Sequence, residues 1–273
     1  MPLAMVRRGR KRGALMRTMC YRCYWPQAHC WCGSITPMAT RTKFVILMHP
    51  YEFKRIKANT GRLTHLCLAD SELHIGETFD RHEAVQALIN DPANFPVLLY
   101  PGRDALDLSA VARDDPQLSE LNSQLANRRL VVFLLDATWR LVRPMLRTSL
   151  SLQGLPKVMF SNAAPSRYII KRQPEPGCLS TLEATHELLL ALERAGLDGY
   201  PLPAQMLDLF QRMQEFQIRR TEENRRLGIR RHARKPSFGN APVAKAVGSK
   251  RRRIFPVTLA HVARDGSDVK PEA

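Results

Sequence analysis

Short apolar runs alternate along the chain with stretches in which apolar residues recur every three to four positions, the first reading as buried strands and the second as amphipathic helices. Strands are predicted at 43–48, 96–100, 130–135 and 157–160. Helices are predicted at 51–57, around 63–68, at 81–89, within 114–127 after a linker, from Thr138, at 179–195 and after Pro203. In the 179–195 segment Leu182, Leu189 and Leu192 carry the 3.6-residue rhythm and Gly196 ends it. Strands alternating with helices predict an α/β fold with a mostly parallel sheet and helices on both faces. After Arg231 the composition turns to Pro, Gly, Ala and basic residues without periodicity, which reads as a flexible tail. No apolar run approaches the roughly 18 residues a membrane span needs. The basic first nineteen residues lack the apolar core of a secretory signal, so a cytoplasmic protein is expected.

Charge adds a second layer. The 273 residues hold 42 Lys+Arg against 25 Asp+Glu, a net +17, and the excess sits at the ends. Residues 1–17 carry six basic side chains and no acid, and residues 219–253 carry thirteen basic side chains and two acids. The body from 18 to 218 has 21 basic and 20 acidic side chains and is almost neutral. Two cationic arms on a neutral body suit a protein that grips a polyanion, with nucleic acid as the expected partner. Solubilising ends, or a nuclear-targeting role for 250–253, are the alternatives.

Four of six cysteines, Cys20, Cys23, Cys30 and Cys32, fall within thirteen residues as C-x2-C-x6-C-x-C. Two close thiolate pairs can converge on one tetrahedral ion and leave no open position, so a structural zinc is expected, with a disulfide pair or free thiols as the alternative. His29 lies inside the loop as a bystander, and Cys67 and Cys178 read as core residues.

In parallel sheets ligands bind beyond the carboxyl ends of the strands. The residues there are His49-Pro50-Tyr51-Glu52, Tyr100-Pro101-Gly102 and Asp136-Ala137-Thr138-Trp139, and Ser180-Thr181-Leu182-Glu183-Ala184 opens a helix after Gly177. With Asn59-Thr60-Gly61, these motifs follow one another in the order seen in the DTW domain family, which the chain resembles from about residue 18 to 220. Ala137 stands where that family commonly has Gly, and a small residue is kept.

The resemblance implies a SPOUT-like α/β fold with a C-terminal knot, preceded by the four-cysteine knuckle, and allows a homodimer. It implies a tRNA-uridine aminocarboxypropyltransferase, which moves the 3-amino-3-carboxypropyl group of S-adenosylmethionine to N3 of a tRNA uridine and releases methylthioadenosine. It divides the chain into a basic arm at 1–17, a zinc-binding cluster at 18–40, a catalytic domain at 41–220 and a basic tail at 221–273.

That chemistry needs a base for the N3 proton, for which Asp136 is the candidate, and no general acid, because the leaving group departs as a neutral thioether. Trp139 is expected to stack on adenine or on the target base, with a core position as the alternative. Thr138 would cap its helix or present backbone N–H groups to the methionine carboxylate. Glu183 would hold an ammonium or a ribose hydroxyl, or else answer Ser180 in a capping box. His49, Tyr100, Pro101, Ser180 and Thr181 complete the expected cofactor pocket, with His49 otherwise a plain strand end. Arg55, Lys57, Arg62, Arg167 and Arg172 are the expected phosphate contacts, each otherwise a solvated charge. Asn59 and Gly61 are expected to shape a turn, and Asp70, Glu72 and His74 to lie in an exposed loop. A SPOUT-type RNA methyltransferase and a non-catalytic zinc-knuckle RNA-binding protein remain the competing functions.

Overall fold

The predicted apolar runs form the centre of one six-stranded sheet in a computed structural model that describes residues 18–56, 59–161, 163–171 and 177–228. Its strands are β1 (Lys43–Met48), β2 (Ser71–Ile75), β3 (Asn94–Leu99), β4 (Leu106–Asp107), β5 (Arg129–Asp136) and β6 (Lys157–Met159). They lie in the order β2-β1-β5-β3-β6-β4, and every pairing is parallel. Among the described residues the helices are α1 (Pro50–Arg55), α2 (Thr60–Cys67), α3 (Glu83–Asn90), α4 (Pro116–Leu125), α5 (Trp139–Arg147), α6 (Leu150–Gln153), α7 (Thr181–Arg194) and α8 (Pro203–Arg226). No helix among them is long and apolar enough to cross a membrane.

Strands β1 and β5 are apolar from Phe44 to Met48 and from Leu130 to Leu135 because both faces of the sheet are covered. Their side chains divide with period two. Phe44, Ile46, Val132 and Leu134 join a core with α2, α7 and α8, whereas Val45, Leu47, Val131 and Phe133 pack with Val85 of α3, Met145 of α5 and Leu152 of α6. Cys23, Trp25 and Met38 belong to the first core, so the cysteine segment is packed on the sheet domain. Helix α7 ends as its sequence predicts. Gly196 takes φ +74, its N–H donates to Glu193 O at 3.0 Å and Leu197 N–H to Leu192 O at 2.9 Å. That is the paired bonding of a glycine-capped helix end.

One feature departs from expectation. Asp70, Glu72 and His74 do not lie in a loop; they lead into and share one face of the edge strand β2. Lys43 Nζ bridges Asp70 (3.0 Å) and Glu72 (2.9 Å), while His74 Nε2 meets Glu72 at 2.8 Å, so this acidic face is neutralised by side chains. Helix α8 runs from Pro203 to Arg226. The arm at 1–17 and the tail from 229 lie outside the described residues.

Candidate active site

Strand β1 leads the chain outward to β2 on one side, and β5 leads it to β6 on the other. The carboxyl ends of these two neighbours therefore flank a switch point, the place where parallel sheets bind ligands. Met48 and Asp136 are register partners there, and the His49 N–H extends the ladder by donating to Asp136 O at 3.0 Å. The motifs after β1 and β5 thus meet in space.

Asp136 is 3% exposed and carries two hydrogen bonds on its carboxylate. Thr181 Oγ1 donates to Oδ1 at 2.6 Å, and Asn59 Nδ2 donates to Oδ2 at 2.9 Å. Asn59 reaches it because its own Oδ1 accepts from Arg62 N at 2.8 Å, capping α2 and fixing the amide. Asn59 Nδ2 also faces Glu52 Oε2 at 3.4 Å, and Glu52 is only 4% exposed, so a second buried carboxylate shares the site. Among the described residues its Oε1 has no hydrogen-bond partner within 3.5 Å.

Burial pushes the Asp136 carboxyl above its usual range, against the Thr181 and Asn59 hydrogen bonds and the positive charges of Lys171 and Arg62. Burial also raises Glu52, with the Asp136 charge as the next cause. Two buried acids with raised proton affinity, at the rim of a sheet, form the arrangement expected of a proton acceptor, or of a receptor for a cationic ligand.

Gly61 rests directly on this carboxylate. A Cβ at residue 61 would lie 2.5 Å from Asp136 Cγ and 2.6 Å from Oδ2. Gly61→Ala is therefore expected to displace Asp136, costing about 1–3 kcal/mol of stability and at least tenfold in turnover, measured by urea denaturation and by a transfer assay.

The remaining expected site residues fall into distinct places. His49 neither lines a cleft alone nor merely ends β1; its Nδ1 accepts from Tyr51 N at 3.0 Å and caps α1. Thr138 begins α5 without a side-chain cap, which leaves the first-turn N–H groups of that helix to other partners. Trp139 is 46% exposed and is not a core residue. Ser180 and Glu183 form the capping box of α7. Glu183 Oε2 accepts from Ser180 N at 2.9 Å and Oε1 from Arg167 N at 2.6 Å, so this carboxylate organises the loop before α7. Tyr100 and Pro101 follow β3 at the same rim.

Of the basic residues, Arg55 and Arg167 are exposed, while Lys57 and Arg172 lie outside the described residues. Arg62 is not on the surface. It is 5% exposed, with its guanidinium over the rings of Tyr24 (4.4 Å) and Phe53 (4.9 Å), where it ties the cysteine segment to the site. Sequence reasoning had given no role to Glu52 and had treated Asn59 and Gly61 as turn residues. The only available signal was their place in motifs at strand and helix ends.

The four cysteines converge. Their sulfur atoms all lie within 4.8 Å of one another, with Cys20 to Cys32 at 3.8 Å and Cys23 to Cys30 at 3.7 Å. A tetrahedral ion with metal–sulfur bonds of about 2.3 Å requires sulfur separations of about 3.8 Å. The backbone N–H groups of Cys23 and Arg22 pull the Cys20 thiol down to about 6, while burial pushes Cys32 up to about 12. This group can hold a metal ion. His29 is not part of it and instead stacks on Phe216, with ring centroids 4.9 Å apart.

Comparison with known proteins finds relatives over most of the chain. "tRNA-uridine aminocarboxypropyltransferase 2" of Drosophila melanogaster is 32% identical over 184 residues, 65% of this chain and 67% of the relative. The mouse protein of the same name is 30% identical over 214 residues, 76% and 68% of the two chains. "tRNA-uridine aminocarboxypropyltransferase A" of Arabidopsis thaliana is 26% identical over 220 residues, 74% and 81%. No solved structure matches. The DTW domain model matches residues 17–218, a span that takes in the cysteine cluster, Asn59, Asp136 and Thr181 together, and the chain belongs to the DTW domain family.

Proposed function

We propose that the chain is a tRNA-uridine aminocarboxypropyltransferase with Asp136 as its base. The observation that carries the reading is a buried carboxylate of raised proton affinity, held by Asn59 and Thr181 at the switch point, in a family whose curated relatives bear that name. Asp136 takes the N3 proton of the uridine as the N3–carbon bond forms. The carbon–sulfur bond of the co-substrate S-adenosylmethionine breaks, and its electron pair leaves with methylthioadenosine as a neutral thioether. No acid is needed on that side.

The site residues suit the charges of that co-substrate. Glu52 and Asp136 offer buried negative charge to an ammonium and a sulfonium, and the uncapped start of α5 at Thr138 offers N–H groups to a carboxylate. Trp139 supplies a flat exposed ring for adenine or the target base, and His49, Tyr100, Pro101, Ser180, Thr181 and Glu183 frame the pocket. The four cysteines hold a structural zinc, which cross-links the segment and takes no part in the transfer.

Arg55 and Arg167, with Lys57, Arg172 and the basic ends, contact tRNA phosphates. The domain division at 17, 40 and 220, a cytoplasmic site of action and homodimer formation belong to the same proposal. So does a SPOUT-like knot, which is supported by the return of the chain from β6 to the middle of the sheet, where Thr181 meets Asp136.

Incubation with S-adenosylmethionine and unmodified tRNA, followed by mass spectrometry, tests the reading. Methylthioadenosine with aminocarboxypropyluridine is expected. S-adenosylhomocysteine with a methylated nucleoside would make the chain a methyltransferase instead.

A further inference from the structure

We infer that the exposed face of α5 is a docking track for the phosphodiester backbone of tRNA, formed by Arg140, Arg143 and Arg147. The inference rests on the proposed function and names the part of the body that holds the substrate beside Asp136. At 3.6 residues per turn the spacing i, i+3, i+7 places the three side chains within about 60° of arc. All three are exposed, while Val142 and Met145 of the same helix are buried in the second core.

Some cations of the body are paired, whereas these three, like Lys54, Arg55, Arg81 and Arg103, are not paired among the described residues. Lys43, Arg129, Lys157 and Arg220 each face a carboxylate. Among the described residues Arg140, Arg143 and Arg147 have neither a carboxylate within 4.0 Å nor a side-chain hydrogen bond. Helix electrostatics does not account for them either. Arg147 in the last turn is favoured by the helix dipole, but Arg140 in the first turn is opposed by it, and no acid occupies that turn. Positive charge placed where the fold disfavours it, and left unpaired, suits an anionic partner.

The geometry also suits a polymer. From Arg140 to Arg147 the helix rises about 10 Å, enough to follow several phosphates of one strand spaced on the order of 3 Å along the axis. The track starts beside Trp139, an exposed ring on which a base can stack, and four residues after Asp136. A strand held along α5 would therefore present a nucleotide at the buried carboxylates.

The test compares the full chain with R140Q/R143Q/R147Q and R140K/R143K/R147K variants by titrating an unmodified tRNA transcript at several salt concentrations. The Gln variant is expected to flatten the slope of log K against log salt by about two, for about three lost single-strand phosphate contacts, and to raise KM for tRNA at least tenfold. The Lys variant should keep the slope, and calorimetric S-adenosylmethionine binding should be equal in all three, which reports an intact fold. An unchanged slope and KM in the Gln variant would overturn the track while leaving the proposed function standing. A wild-type chain that binds no tRNA would overturn both.

Discussion

Asp136→Asn leaves a folded chain that binds tRNA but transfers aminocarboxypropyl groups about 10²–10⁴ times more slowly, the usual contribution of a general base. The Asn amide fits the site because one of its ends accepts from Asn59 Nδ2 and the other donates to the Thr181 hydroxyl, which turns to accept. Only the proton acceptor is removed. Stability at neutral pH is expected to hold or rise, since burial disfavours the charge at Asp136. Single-turnover rates, tRNA affinity and a thermal melt read the three consequences separately. Turnover within tenfold of wild type would take Asp136 out of the base role.

The same carboxylates set the pH dependence. With Asp136 as the proposed base, transfer would need its ionised form, so the acid limb of kcat/KM is expected above the ordinary carboxylate range. The Asp136 charge raises the proton affinity of Glu52, and because repulsion between two carboxylates is reciprocal, Glu52→Gln should move that limb to lower pH. Folding follows the opposite course from a salt-bridged acid. With both folded-state values raised, the native chain binds more protons than the unfolded one between the ordinary and the raised values, so stability falls as pH rises through that window. Asp136→Asn should flatten this fall.

The parts of this site that were legible in the sequence are those governed by local rules. The runs that became β1 and β5 had to be continuous because both sheet faces are covered, and Ser180 with Glu183 three residues later is a signal for a helix start. Strand β2 was not legible. It reads Ser-Glu-Leu-His-Ile at a sheet edge, and Glu72, with Asp70 just before the strand, is matched by Lys43 from the neighbouring strand, nearly thirty residues back, as well as by His74. Arg62 was misplaced for a related reason. A buried guanidinium is recognisable only by the rings of Tyr24 and Phe53 that cover it, and these lie 38 and nine positions away. Gly61 and Asn59 looked like turn residues because their contact with Asp136 joins segments more than 70 residues apart.

Loss of the metal is expected to reach further than the cysteine segment itself. If zinc is bound at about 1,000 times its Kd, it contributes about 4 kcal/mol, so chelation or Cys20→Ser should lower Tm by about 8–16 °C for a chain of this size. Cys20 is the informative position because it is only partly buried, so a hydroxyl there costs little packing and a large shift reports the lost ligand. Around the cysteines the internal ties are short backbone bonds, such as Cys20 N to Trp25 O at 2.7 Å, Tyr24 N to Cys20 O at 2.8 Å and Gln27 N to Thr18 O at 2.8 Å, while Thr36 and Met38 join the segment to Gln205 and Cys67. Its aromatic side chains grip α8. Phe216 packs against Trp25 at 5.2 Å, Trp31 at 5.9 Å and His29 at 4.9 Å between ring centroids. Releasing that grip frees the end of α8 that carries Arg219, Arg220, Arg225 and Arg226, so metal loss should weaken tRNA binding as well as stability. Near-ultraviolet dichroism of the tryptophans, metal content and tRNA affinity should change together on chelation. A purified chain that holds no metal and melts at the same temperature with and without chelator would show that the four thiols pack the knuckle without an ion.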